Sequence, residues 1–234
     1  MQRNFYGRFK GPTLTKKQEI LLKIELPKFI IDSVDVTDNL ERQFLNLRKY
    51  TNNKPLWLEI GFGSGEHLIN QAQLNPDVVF FGCEPYINGV ASLLAKIKKE
   101  KRINNIFIYP GDVRNLFDVL PSNSIDRVFL LYPDPWPKKR HNRRRFVNPE
   151  YLIPLCRVMK VAAQFRIATD VKEYCSHAFQ EVLKLDFILK EQNKNDFSFP
   201  WEGWSPTRYE KKAQKDNKTS YYMTFQKKTP LWVL

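Results

Sequence analysis

Four acids and a group of glycines are spaced so that together they could hold one ligand. The segment Glu59-Ile60-Gly61-Phe62-Gly63-Ser64-Gly65 closes a short apolar run. Glycine lets the main chain turn tightly and approach a bound molecule closely, and a helix beginning there offers free N–H groups. A merely tight turn would use the same residues, so the glycines alone do not decide. Their spacing is GxGxG followed by Glu66, not the GxGxxG that opens a helix beneath a pyrophosphate, and a carboxylate at Glu66 would repel phosphate. Glu84 stands 19 residues after Gly65, at the end of a second apolar run, where a carboxylate can accept from both hydroxyls of a ribose. Asp112 follows a third run in Tyr109-Pro110-Gly111-Asp112 and could accept from an adenine amino group, while Glu59 could face a cation. Ribose, adenine and a positive centre without phosphate describe S-adenosylmethionine better than NAD. The plainer alternative for Glu84 and Asp112 is that they cap helices.

The fourth acid lies in Leu131-Tyr132-Pro133-Asp134-Pro135-Trp136-Pro137, after a fourth apolar run. Three prolines in five residues continue neither a sheet nor a helix, so a stiff loop is expected. Such a loop can hold Asp134 beside a cofactor with little entropy left to lose. Trp136 can stack on a base or pack under the loop. Directly after it, Lys138-Lys139-Arg140-His141-Asn142-Arg143-Arg144-Arg145 carries six formal positive charges in eight positions, close to the proposed reaction centre.

These residues need a sheet whose strands all end on one rim. Pro55–Ile60, Val78–Cys83, Ile106–Tyr109, Ile125–Leu131 and Gln164–Thr169 read as buried strands. Between and after them, Glu66–Leu74, Asn88–Lys101, Asp112–Leu120, Asn148–Lys160 and Val171–Lys184 read as helices. The alternation predicts an α/β fold with a doubly wound, mostly parallel sheet. Asp186–Glu191 and Tyr221–Lys227 are expected to add an antiparallel edge pair. Leu40, Phe44 and Leu47 have helical spacing, which predicts an amphipathic helix over 38–50. Asn193–Lys218 is rich in Pro, Gly, Asn and charge and reads as a long functional loop. Residues 1–37 read as a basic arm with a short helix around Lys16–Ile24, and residues 38–234 as one domain.

Composition narrows the partners. Of 234 residues 42% are hydrophobic, enough for a packed core, which excludes a disordered chain. Lys and Arg number 38 against 25 Asp and Glu, a net charge of +13 that attracts polyanions. The surplus is gathered in the block above, in Arg3, Arg8, Lys10, Lys16 and Lys17, and in Arg208, Lys211, Lys212, Lys215, Lys218, Lys227 and Lys228. Nucleic acid is the leading partner, since each phosphate neutralised releases counterions. No basic cluster lies on an amphipathic helix suited to an anionic membrane. No apolar run reaches the roughly 18 residues that cross a bilayer, and Met1–Arg8 lacks the apolar stretch of a signal peptide. Cys83, Cys156 and Cys175, like His67, His141 and His177, are too scattered for a metal site, and a reducing cytoplasmic setting is the simplest expectation.

The segments LEIGFGSGEHL, GCEP, GDVRNLF, LYPDPWPKKRHNRRR, ATD and SPTRYE, in that order, closely resemble the bacterial tRNA (guanine-N7-)-methyltransferases. The glycine turn is shared by all class I methyltransferases, whereas the PDPW–KxRHxxRR stretch is specific to this family. The resemblance implies a Rossmann-like fold and methyl transfer from S-adenosylmethionine to N7 of a guanine in the tRNA variable loop, conventionally position 46. It implies cofactor contacts at Glu59, Gly61, Gly63, Gly65, Glu84, Asp112 and Asp134, with Asp134 also catalytic. Substrate contacts are implied at Lys138, Asp170, Thr207, Arg208, Tyr209 and Glu210, and RNA contacts over Arg140, His141, Asn142, Arg143, Arg144 and Arg145. The resemblance also implies action without a partner subunit, as a monomer or homodimer. Two departures stand out. Gly82-Cys83-Glu84 replaces the commoner Gly-Ile-Glu, and Lys160-Val161-Ala162-Ala163 lacks the usual glycine turn.

Three other readings compete. Methyltransferases for exocyclic amines of DNA or rRNA carry Asp/Asn-Pro-Pro-aromatic at the same strand end, but Asp134-Pro135-Trp136 has no second proline. A non-catalytic RNA-binding module would not need the full set of acids. An NAD-linked oxidoreductase is disfavoured by the glycine spacing and Glu66.

Overall fold

The computed structural model describes residues 4–7, 9, 11–100, 102–190 and 197–228. Arg3, Arg8 and Lys10 of the basic arm, Lys101, and residues 191–196 of the expected late strand and loop lie outside the described residues. The chain divides into two compact units, one ending at Leu120 and the other beginning at Pro121.

The first unit opens with helix α1, Lys16–Ile24, as the sequence predicts. Thr15 and Gln18 form a reciprocal capping box that satisfies the donors of its first turn. Two short helices, α2 (Leu26–Phe29) and α3 (Arg48–Thr51), precede strand β1, Leu56–Ile60. Helix α4 (Glu66–Leu74), strand β2 (Val79–Cys83), helix α5 (Ile87–Glu100), strand β3 (Ile106–Tyr109) and helix α6 (Val113–Val119) complete the unit. Its strands run parallel in the order β3-β2-β1, with Leu56 opposite Val79 and Phe80 opposite Ile106. All five residues of β1 and of β2 are buried, as parallel strands covered on both faces require. The outer edge of β3 is covered by the chain at Ile30–Ile31, where the Ile31 N–H donates to the Ile108 carbonyl at 2.8 Å.

The helix expected over 38–50 is absent except for α3. Arg42 takes a left-handed φ of 51°, and its guanidinium donates to the carbonyls of Val34 and Asn115 and to Asp118. The Asn39 side chain bonds the main chain of Ser33 and Gln43. These side-chain bonds give the main chain partners that a helix would otherwise supply. Leu40 and Phe44, whose spacing suggested a stripe, are 80% and 63% exposed, while Leu45 is buried.

The second unit contains strand β4 (Ile125–Leu131), a 3₁₀ turn over Lys139–Arg144, helix α7 (Pro149–Val158), strand β5 (Met159–Thr169), helix α8 (Lys172–Leu183), strand β6 (Phe187–Leu189), helix α9 (Arg208–Lys215) and strand β7 (Tyr221–Lys227). β4 and β5 pair in parallel, and β7 pairs antiparallel with both β5 and β6, so the expected antiparallel edge is present. β5 begins five residues earlier than expected. Its register slips from Ile125 opposite Met159 to Arg127 opposite Gln164, and Ala162 in the slip has φ 62°. The stretch expected to be a long loop contains α9, begun by Thr207, whose hydroxyl accepts from the Glu210 N–H. Pro and charge masked it, because only Glu210 and Ala213 of its eight residues are buried.

Candidate active site

At the carboxyl end of β1 the chain enters the glycine turn with Gly61, Gly63 and Gly65 at φ 70°, 56° and 77°. This left-handed run is why other residues would be strained there. Gly89 matters for a different reason. A Cβ on it would come within 2.3 Å of the Gly63 carbonyl oxygen, so α5 can lie against the turn only with glycine there. Sequence reading passed over Gly89, although a glycine within a helix is itself a signal of close packing.

Glu59 is 3% exposed, and its Oε2 accepts from His67 Nδ1 at 2.7 Å. Glu84, also buried, accepts from the Gly63 N–H at 2.7 Å through one oxygen and from the Tyr86 N–H at 2.8 Å through the other. It thus braces the turn from the end of β2. Asp112 has two other tasks. It caps α6 by accepting from the Arg114 N–H at 2.9 Å and pairs with the Arg114 guanidinium, which is 2% exposed. Asp112 does cap a helix, whatever else it binds. Arg114 also donates to the Asn4 carbonyl, tying the N-terminal segment to this rim.

Glu66 is paired with Lys96 Nζ at 2.8 Å, a lysine that also donates to the Ser64 carbonyl. Its charge is compensated, so its repulsion of phosphate is weaker than the sequence suggested, and the glycine spacing carries that argument alone. Cys83 packs in the core and donates to the Gly111 carbonyl at 3.1 Å. Burial foremost, and then the Asp112 and Glu84 carboxylates, push its thiol well up, so it stays protonated and unreactive.

In the second unit, Asp134 is exposed and, among the described residues, has no hydrogen-bond partner. Two flanking residues hold left-handed conformations that non-glycine residues rarely adopt, Tyr132 at φ 49° and Trp136 at φ 42°. Trp136 packs: the His141 ring meets it near perpendicular with centroids 5.8 Å apart, and the Arg144 guanidinium lies 5.0 Å from its centroid. Lys138, Arg140 and Arg143 are exposed. Partial desolvation, with Arg144 and Arg140 beside it, holds His141 below its usual range, so it is neutral near pH 7. Arg145, for which the resemblance also implies an RNA contact, lies inward. It is 1% exposed and bonded to the carbonyls of Pro135 and Trp136 and to Glu173.

The other implied substrate residues divide in the same way. Arg208 and Tyr209 are exposed, and the Tyr209 ring lies near parallel to Tyr132 with centroids 6.4 Å apart. Thr207 caps α9. Glu210 is buried and accepts from Trp204 Nε1 at 2.8 Å and from the Tyr222 hydroxyl at 2.5 Å, which fixes the helix to β7. Asp170 follows β5 and lies 3.5 Å from Lys218 Nζ. Among the described residues no group of His, Cys, Asp and Glu could hold a metal ion, and no helix is long and apolar enough to cross a membrane.

Residues 53–223 match the family model described as "Putative methyltransferase". Over 227 residues the chain is 50% identical to a tRNA (guanine-N(7)-)-methyltransferase of Jannaschia sp. (strain CCS1), covering 97% of this chain and 95% of the relative. The chain belongs to the bacterial tRNA (guanine-N7)-methyltransferase family. A second member, from Ruegeria pomeroyi, is 50% identical over 97% of this chain and 95% of its own length. One from Bradyrhizobium diazoefficiens is 36% identical over 97% and 94%. Among solved structures, the 16S rRNA methyltransferase KamB superposes with a TM-score of 0.58 at 14% identity, covering 80% of this chain and 95% of that one. An antibiotic-related methyltransferase gives 0.53 at 16% identity over 78% and 92%. At that identity the likeness establishes the fold, the mostly parallel α/β sheet with antiparallel edge strands. This tRNA (guanine-N7)-methyltransferase chain therefore carries its acids at strand ends of the expected fold.

Proposed function

We propose that this protein transfers a methyl group from S-adenosylmethionine to N7 of a guanine in the tRNA variable loop, at position 46. The observation that carries the reading is the glycine turn braced by Glu84 and flanked by buried Glu59, in a chain 50% identical to a protein of that name. At Gly61, among the described residues, no heavy atom beyond Gly61 and its two chain neighbours lies within 4 Å of where a side chain would begin, so a ligand can approach the main chain. Buried carboxylates beside a glycine turn fit a nucleoside bearing positive charge and no phosphate. In this reading Glu84 accepts from the ribose hydroxyls and Glu59 faces the cationic part. Asp112, already bonded to Arg114, is the weaker acceptor for the adenine amino group. The bound cofactor supplies an electrophilic methyl group on a sulfonium.

Guanine N7 carries an in-plane lone pair and no proton at neutral pH. The protein needs no base to activate it, and the residues' work is positioning. Asp134, exposed on its proline-stiffened loop, accepts from the guanine N1–H and amino edge and favours the positive charge that develops on the ring. Asp170, Arg208 and Tyr209 help to hold the base, and Lys138, Arg140 and Arg143 meet tRNA phosphates. A cytoplasmic location follows from the tRNA substrate. Methylating tRNA with labelled cofactor and cleaving with aniline at 7-methylguanine tests the reading: label at a single guanine of the variable loop is expected. Label on an amino nitrogen, or none, would overturn it. Within the same assay Asp134→Ala should lower turnover while cofactor binding stays measurable, and unchanged turnover would remove Asp134 from the chemistry.

A further inference from the structure

We infer that Arg145 is a positioning residue for methyl transfer, which holds the Asp134 loop by its buried guanidinium and contacts no tRNA phosphate. The inference rests on the function proposed above. Arg145 ends the basic block, and by sequence it is indistinguishable from Arg143 and Arg144. The structure separates them. Arg143 is exposed, whereas the Arg145 side chain is 1% exposed. Its Nε donates to the Pro135 carbonyl at 2.9 Å, and its Nη2 donates to the Trp136 carbonyl at 3.3 Å and to Glu173 Oε1 at 2.8 Å. Its carbon centre lies 5.7 Å from the centroid of the Tyr174 ring, on α8. A phosphate could reach this guanidinium only by displacing those partners.

The loop needs such a clamp. Pro133, Pro135 and Pro137 have no N–H, so a regular hydrogen-bond ladder cannot hold the segment. Trp136 at φ 42° and Tyr132 at φ 49° persist only where surrounding bonds over-determine them. The carbonyls on either side of the Pro135–Trp136 junction are the two that Arg145 binds, directly after Asp134. Glu173, near the start of α8, orients the guanidinium from the far side, and α8 follows β5 and Asp170. Arg145 thereby ties the loop after β4 to the helix after β5. A planar fork with donors in fixed directions can do this, and an ammonium cannot reproduce it.

The test uses the full chain, transcribed tRNA and labelled S-adenosylmethionine, with turnover expressed per cofactor-binding site so that misfolded protein is not counted. Arg145→Ala is expected to lower kcat by roughly tenfold to a hundredfold, with KM for tRNA and the salt dependence of tRNA binding unchanged. Arg145→Lys keeps the charge but not the fork and is expected to stay slow. Glu173→Gln, which leaves the loop carbonyls bonded, is expected to give an intermediate kcat, and it carries the test if Arg145→Ala does not fold. The inference is overturned if Arg145→Ala weakens tRNA binding, flattens its salt dependence and is rescued by Lys, as a phosphate contact would be. Unaltered kcat in both Arg145→Lys and Glu173→Gln would also overturn it. Failure of the functional reading looks different, because the wild-type protein would then form no 7-methylguanosine.

Discussion

Glu59 and His67 are joined by a 2.7 Å hydrogen bond with side chains 4% and 1% exposed. The acid at the end of β1 is thus aimed by a histidine of α4, eight residues further on. Removing the imidazole leaves a buried carboxylate oxygen without its donor. His67→Ala should therefore cost about 2 kcal/mol of stability and weaken S-adenosylmethionine binding. His67→Gln, whose amide can still donate, should lose less of both. Urea unfolding and calorimetric titration check this, and unchanged cofactor affinity in His67→Ala would separate Glu59 from the cofactor site.

Ala162 occupies the slip in β5 at φ 62°, where an L side chain is strained and glycine is not. It lies within Lys160-Val161-Ala162-Ala163, the stretch without the glycine turn that the family resemblance leads one to expect. Ala162 is exposed, so no packing is lost on substitution. Ala162→Gly should raise stability by about 0.5–1 kcal/mol, the relief of the left-handed strain less the entropy that glycine adds to the unfolded chain. A higher urea midpoint at constant slope is the expected readout, and a lower midpoint would show that the strain is absorbed elsewhere.

Strand positions were legible because short apolar runs bounded by Gly, Pro and Asp have few alternatives, and the acids were legible because they stand at the ends of those runs. Their partners were not. Nothing in the spacing says that Arg114 pairs with Asp112 or that Lys96 neutralises Glu66, since both contacts depend on how helices lie on the sheet. Periodicity misled at Leu40 and Phe44, where Arg42 and Asn39 supply local bonds in place of a helix. It was silent at α9, whose Arg208-Tyr209-Glu210-Lys211-Lys212-Ala213-Gln214-Lys215 has no apolar stripe and is held by Glu210 instead. In the basic block, residue type could not tell an inward arginine from an outward one.

Tyr132 gives the fold a dependence on alkaline pH. Burial first pushes its hydroxyl up to about 12, against the Ser220 hydroxyl 2.9 Å away, which can turn to donate to the phenolate and works the other way. An unfolded tyrosine ionises near about 10. The folded state therefore favours the neutral phenol. That contribution is complete below about pH 10 and is lost as pH rises through about 12. Tyr132→Phe cannot ionise, so its stability should fall less steeply across that window. Urea unfolding at a series of pH values compares the two slopes, and identical slopes would show that Tyr132 does not ionise with unfolding.

Arg140 and Arg143 point into solvent from the 3₁₀ turn, beside a loop that the proposed reaction requires. A phosphate contact from an exposed arginine adds affinity through counterion release and little else. Arg140→Ala and Arg143→Ala should each weaken tRNA binding, and each should reduce the slope of log K against log salt by about 0.7–0.9. The two losses should nearly add, because the proposal assigns each arginine its own phosphate. Turnover at saturating tRNA should remain close to wild type, since neither side chain touches the loop carbonyls. Filter binding across a salt series measures the slopes. A variant that kept the wild-type slope would mark its arginine as a solvated surface charge, and one that lost turnover at saturation would place it with Arg145 among the residues that shape the loop.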